Sequence, residues 1–263
     1  MVKGRIVKIY MMIALGGILG VVSFGNHAQA KTLTIGAPPS MKAALQEIVP
    51  MFEGEYGAEV KVVYGASPAL RRQIENGAPI DVFLAASFED VKRLHDKKMT
   101  LYGGPRTYAK TSLVLVMSST SYAMGVSFSE ALPNKGIRIA LGDPDNSSLG
   151  KITDQALANH NPVYKNRKNR RKVLHAEHAE HIVKLIHNGK VDMGIVYRVD
   201  AINNGEVLII DENPAGMHVP IQLGQAVVST CRKESLPLAQ NFFDFLLSPR
   251  IQRLLLKYGF DSV

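Results

Sequence analysis

Apolar positions follow two alternating rhythms from residue 32 onward. Short runs rich in Val, Ile and Leu predict strands over 32–37, 60–64, 81–85, 113–117, 137–141, 193–196, 207–210 and 226–229. Between them, apolar residues recur at helical spacing. Leu45, Ile48, Val49 and Phe52 share one stripe of a helix predicted over 41–55, with Gly57 as its stop. Further helices are predicted over 69–76, 88–98, 152–159, 177–188, 236–247 and 249–258. Such alternation defines an α/β chain of mostly parallel sheets flanked by helices. The length after residue 30 suits two lobes with a cleft between them. No internal repeat interrupts the pattern.

The first thirty residues follow another rhythm. Lys3, Arg5 and Lys8 precede a mostly apolar stretch over 9–24, and Ala28-Gln29-Ala30 stands before Lys31. A basic start, an apolar run below the roughly 20 residues of a spanning helix and an Ala-x-Ala ending are the marks of a cleaved signal peptide. The expected cut follows Ala30, which sends the mature chain to the periplasm. No Cys stands at the junction, so no lipid anchor is expected there.

Charge then changes meaning. The chain has 263 residues and a formal net charge of +8, which taken alone suggests a polyanionic partner. Three of these charges lie in residues 1–30, leaving +5, and six more lie in the run 165–172, without which the rest sums to −1. A nucleic-acid footprint needs a broad basic face with aromatics on it, and Tyr164 stands alone beside the run. The run reads as a solvated segment. Cys231 is the single cysteine, which excludes a disulfide framework and multi-Cys zinc sites. His178 and His181 could share a helix face as metal ligands, but read more simply as a solvated face beside Glu177 and Glu180. His175-Ala176-Glu177 lacks the paired cysteines of a zinc deaminase. No His-Glu-x-x-His or Gly-x-Ser-x-Gly occurs, so no enzyme is expected.

Ligands of open α/β sheets bind where strands end and helices begin. Four such junctions stand out: Ser40 after Pro38-Pro39, Ser67 before Pro68, the turn-rich segment 142–150 that includes Leu149, and the segment 175–179 that ends on Ala179. Each helix start leaves backbone N–H groups unpaired at the positive end of the dipole. Ser40 and Ser67 sit where helix N-caps belong. Several such starts facing one cleft make an oxyanion site without Lys or Arg.

At these junctions the chain resembles the periplasmic molybdate-binding proteins of ABC transporters, over nearly all of 31–263. The likeness rests on Arg72-Gln73-Ile74-Glu75-Asn76-Gly77-Ala78-Pro79-Ile80-Asp81-Val82-Phe83, on Ser112-Leu113-Val114-Leu115-Val116, on Gly142-Asp143-Pro144, on Gly194-Ile195-Val196-Tyr197 followed by Asp200-Ala201, and on Tyr258-Gly259-Phe260. The resemblance implies a two-lobe periplasmic-binding-protein fold that closes like a hinged clamp. Lobe 1 would be 31–111 with 225–263, and lobe 2 would be 112–224. It also implies that Ser40 and Ser67 offer hydroxyls and amides, that Leu149 and Ala179 offer backbone N–H groups, and that Tyr197 offers its phenol to molybdate or tungstate. These residues would touch the oxygens, so no direct metal ligand and no cofactor is expected. The implied partners are a small oxyanion and a membrane permease complex, with no nucleic acid, and the chain is expected to act as a monomer.

This chain departs from the family pattern at Pro38-Pro39, at Pro68 and at Leu149, where smaller residues or Ser/Thr are usual. Pro68 removes a donor, which bears on the choice among molybdate, tungstate and sulfate. A two-lobe binder of another small anion such as sulfate is the alternative reading. A metal-binding or hydrolytic periplasmic enzyme is the more distant one.

Overall fold

The structure, a computed structural model, describes residues 31–119, 128–131, 134, 136–160, 173–212 and 220–263. The expected signal peptide and the basic run 165–172 lie outside the described residues.

The chain opens with β1 (Lys31–Ala37), a short 3-10 turn (Pro39–Met41), α1 (Lys42–Tyr56), β2 (Ala58–Tyr64), α2 (Ser67–Glu75), β3 (Val82–Ala85), α3 (Phe88–Asp96) and β4 (Thr100–Thr111). It continues through β5 (Leu113–Ser118), α4 (Phe128–Ala131), β6 (Ile139–Gly142), α5 (Ser148–His160), β7 (Val173–Ala176), α6 (Ala179–His187), β8 (Met193–Tyr197), α7 (Arg198–Ile202) and β9 (Val207–Asp211). It returns through β10 (Ile221–Val228) and closes with α8 (Leu236–Leu246) and α9 (Pro249–Lys257).

Two sheets result, with strand orders β2-β1-β3-β10-β4 and β7-β6-β8-β5-β9. The expected α/β class and two-lobe layout are present. Within each sheet, however, two pairings are parallel and two antiparallel. The parallel half is the one built by strand-helix alternation. The antiparallel half is made by β4, β5, β9 and β10, the strands that carry the chain between sheets. β4 passes to β5 through Ser112 alone, and Ile221 of the returning strand pairs with Thr111. The return expected at 225 therefore falls inside β10, whose first residues already pair with β4. The N–H of Arg198 donates to the Ser112 carbonyl at 2.9 Å, tying the crossing to the end of β8.

The helical stripes bury as their spacing requires. Leu45, Ile48 and Phe52 of α1 are fully buried. Phe52 meets Phe242 edge-on at 5.1 Å and Phe245 at 5.4 Å, fastening α1 to α8 across the first lobe. Central β3 is buried along its whole length, and so is β8 in the second sheet.

Elements without a clear pattern were not expected. β4 carries Gly103-Gly104-Pro105, and its backbone turns to positive φ at Tyr102, Gly103 and Gly104, so no period-two run survives there. β7 is an edge strand with two exposed residues, and α7 spans five residues, too short for a helical stripe. Among the described residues, no helix is long and apolar enough to cross a membrane.

Candidate functional site

The site is made by helix starts at strand ends. The helix predicted over 152–159 begins earlier, at Ser148, and the one predicted from 177 begins later, at Ala179. These shifts place Leu149 in the first turn of α5 and make Ala179 the first residue of α6. In α5 the N–H of Gly150 reaches the Ser147 hydroxyl at 3.4 Å, and the N–H of Lys151 reaches the Ser147 carbonyl. The Ser148 and Leu149 N–H groups find no acceptor among the described residues. In α6 the His178 carbonyl takes the N–H groups of His181 and Ile182, which leaves those of Ala179 and Glu180.

Two glycines set the approach of α5. A Cβ on Gly142 would stand 2.4 Å from the Gly150 nitrogen, and one on Gly150 would stand 2.3 Å from the Asp143 carbonyl oxygen. The helix start can lie on the end of β6 because neither residue has a side chain.

Ser40 and Ser67 do not cap helices as expected. Ser40 lies inside the 3-10 turn, and its Oγ is sealed from solvent with no hydrogen-bond partner among the described residues. Ala66 precedes α2 as its cap, and Ser67 is the first helical residue, with Pro68 next. The Ser67 hydroxyl accepts from the Ala86 N–H at 2.9 Å. Its own hydrogen stays available to an acceptor in the cleft. Because Pro68 has no N–H and Ala69 donates to the Ala66 carbonyl, the Ser67 N–H is the donor that this turn can offer.

Tyr197 ends β8 and reaches across to the other lobe. Its hydroxyl donates to the Ala86 carbonyl at 3.0 Å. Burial holds the phenol well above its ordinary pKa, so it stays protonated. To serve a ligand, the hydrogen must turn about the C–O bond away from Ala86. A second bridge joins the lobes nearby, where the Ser148 hydroxyl donates to Asp90 Oδ2 at 2.6 Å. Burial raises the pKa of Asp90, while Ser148 and Arg71 oppose that shift.

Ser40, Ser67, Leu149, Ala179 and Tyr197 all line one cavity between the lobes. Its free interior is about 40 Å³. At roughly 10–15 Å³ per water, that holds about three waters, the scale of a small ion. Among the described residues no Lys or Arg lines it; hydroxyls, helix-start amides and His178 can donate there, and Glu177, Glu180 and Asp200 border it as well.

Sequence reasoning missed three features of this cavity. Ala86 ties Ser67 to Tyr197 through its two backbone groups. Ser147 and Ser148 add hydroxyls beside Leu149, and could have been read from the Ser-Ser pair preceding it. Asp200 lines the cavity as well, with a sealed and unpartnered Oδ2; the motif contained it, but nothing local marks it as unpaired. The pairing of His178 and His181 as metal ligands gains no support. Among the described residues no group of three or more His, Cys, Asp or Glu is placed to hold a metal ion. Burial pushes the Cys231 thiol up to about 12, which keeps it a poor nucleophile.

Two lobes with a small cavity between them lined by helix starts have the layout of a solute-binding fold. The chain belongs to the family described as bacterial extracellular solute-binding protein, whose pattern matches residues 33–261. It is 30% identical over 234 residues to the "Putative ABC transporter substrate-binding lipoprotein YvgL" of Bacillus subtilis, covering 88% of this chain and 86% of that one. It is 28% identical over 257 residues to the molybdate-binding protein ModA of Escherichia coli, covering 93% and 95%. The periplasmic molybdate-binding protein of Azotobacter vinelandii shares the fold with a TM-score of 0.73 at 20% identity, covering 88% of this chain and 99% of that one. The sulfate-binding protein SubI of Mycobacterium tuberculosis shares it equally, with a TM-score of 0.73 at 19% identity and coverage of 89% and 87%. The fold alone therefore does not choose the anion. These relatives are solute-binding proteins, not enzymes.

Proposed function

We propose that the protein captures a tetrahedral oxyanion, molybdate or tungstate, outside the cytoplasm and delivers it to the membrane permease of an ABC transporter. The observation that carries this reading is the meeting of Ser40, Ser67, Leu149, Ala179 and Tyr197 around one small cavity that no Lys or Arg among the described residues lines. Neutral donors aimed from helix starts suit a dianion that must be held and then released. The ModA relative supports molybdate in particular. The reading includes a leader cut after Ala30, a monomer that needs no cofactor, and lobes divided at the crossings near Ser112 and before β10.

Titration calorimetry of the chain from Lys31 onward, with molybdate, tungstate, sulfate and phosphate, tests it. Tight one-to-one binding of the two larger anions, with weak or no binding of the others, is expected. Absence of heat with both larger anions overturns the reading, and tighter binding of sulfate reassigns the cargo to sulfate.

A further inference from the structure

Glu177, His178, Glu180 and Asp200 also line the cleft and have no role in that reading. Asp200 lies on α7, lines that cavity and also lines the neighbouring, larger opening with Lys42, Gln46 and Asn203. The residue as a whole is half-buried, yet its Oδ2 is sealed from solvent and has no hydrogen-bond partner among the described residues. Carboxylates elsewhere in this protein are treated differently: Asp90 receives a hydroxyl, and Asp81 receives two backbone amides and a guanidinium.

The groups around Asp200 do not neutralise it. Glu180 of α6 acts on it with like charge. His178, at the start of α6, lines the same cavity, and Lys42 of α1 stands at the neighbouring opening. Tyr197 of β8 and Tyr108 of β4 both feel the Asp200 charge, and the Tyr108 hydroxyl is itself buried and unpartnered. β5, packed on α7, carries no titratable side chain, and β9 carries Asp211.

An ionised, unpaired carboxylate on the wall of a cavity that takes a dianion opposes the ligand. A protonated one offers a hydrogen-bond donor instead. We propose that Asp200 is the proton carrier of the anion site, so that a fully ionised dianion enters with one proton from solvent, which Asp200 holds on its carboxyl and donates to an anion oxygen. This rests on the oxyanion reading above and adds a coupled ion to it. Burial and Glu180 push the Asp200 carboxyl up to about 7, so the proton is within reach under ordinary conditions. The bound dianion raises it further, which is the coupling itself. The site then favours the anion on the acidic side of neutrality and releases it more readily on the alkaline side.

The experiment is calorimetry with molybdate and tungstate at pH 8, repeated in two buffers of different ionisation enthalpy, on the wild-type chain and on Asp200→Asn. The wild type is expected to take up close to one proton per anion, and its affinity to fall by up to about tenfold per pH unit above 7. Asp200→Asn is expected to bind with no proton uptake and with an affinity that does not change between pH 6.5 and 8.5. Tight wild-type binding without proton uptake overturns the inference and leaves the oxyanion reading standing, and needs no variant to be folded. Proton uptake that persists in Asp200→Asn also overturns it, because His178 would then be the carrier. Absence of binding by every anion overturns the oxyanion reading and this inference together.

Discussion

Asp81 and Asp200 sit at opposite ends of the molecule's strands. Asp81 precedes β3, at the end of the first sheet away from the cleft, and is fully buried. Its carboxylate accepts from the Thr34 N–H at 2.7 Å, from the Arg232 N–H at 3.1 Å and from the Arg232 guanidinium at 2.8 Å. It joins β1, β3 and the approach to α8 with every oxygen occupied. Asp200 follows β8, at the cleft end of the second sheet, and its Oδ2 has nothing. The same side chain serves as a fastening where the strands begin and as an unsatisfied wall where they end. A buried carboxylate oxygen without a partner is costly, and at Asp200 the fold keeps one beside the cavity.

The largest effect is expected at the satisfied end. Asp81→Ala strips acceptors from Thr34 and Arg232 and should cost about 3 kcal/mol of folding stability, read by chemical denaturation. Arg232 is partly exposed, so water relieves some of the loss. Anion affinity of the folded protein should be unchanged, and a matching loss of affinity would erase the distinction between the two ends.

Intermediate effects belong to the cleft. Tyr197→Phe removes the phenolic donor and Ser67→Ala removes the hydroxyl. Each should weaken molybdate binding by about 1–3 kcal/mol, and because each also frees a buried backbone group of Ala86, the denaturation midpoint should fall too, by less than in Asp81→Ala. Unchanged affinity in both places the ligand elsewhere.

The smallest effect sharpens the contrast by sign. Because the folded state holds Asp200 at about 7, above an ordinary carboxylate, it keeps a proton that the unfolded chain has already released. Stability is then lost as pH rises from about 4 through about 7. Asp200→Asn escapes that loss. Discounting for its partial exposure, the variant should melt about 2–4 °C above wild type at pH 8, with the gap closing toward pH 4. A variant that melts lower at pH 8 would make Asp200 a fastening like Asp81.

Much of this was legible in the residues. The stripe of Leu45, Ile48 and Phe52 needs only helical geometry to be seen, and α1 follows it. The helix starts at Leu149 and Ala179 could be read as donors because the first turn of any helix leaves N–H groups free. What could not be read depends on residues far apart in the chain. That Ser67 spends its lone pair on Ala86 rather than on a cap, and that Ser148 reaches Asp90 in the other lobe, follow from packing. That Asp200 lacks a partner is a property of everything around it. β4 was hidden for a local reason, since Gly103-Gly104-Pro105 erases the alternation that marks a strand.

The order of strands in the second sheet also sets how its donors travel. Leu113, the residue after the crossing, pairs with Tyr197, and outward from β5 come β8, then β6, then β7. At about 4.8 Å per strand, Tyr197 stands one spacing from the crossing, the start of α5 about two, and the start of α6 about three. For a turn of the second lobe about an axis through that crossing and at right angles to this line, the arcs swept grow in the same proportion. Tyr197 is then the short arm of the lever and Ala179 the long one, so a small rotation of that kind moves the phenol least from Ala86 and the amides of α6 most.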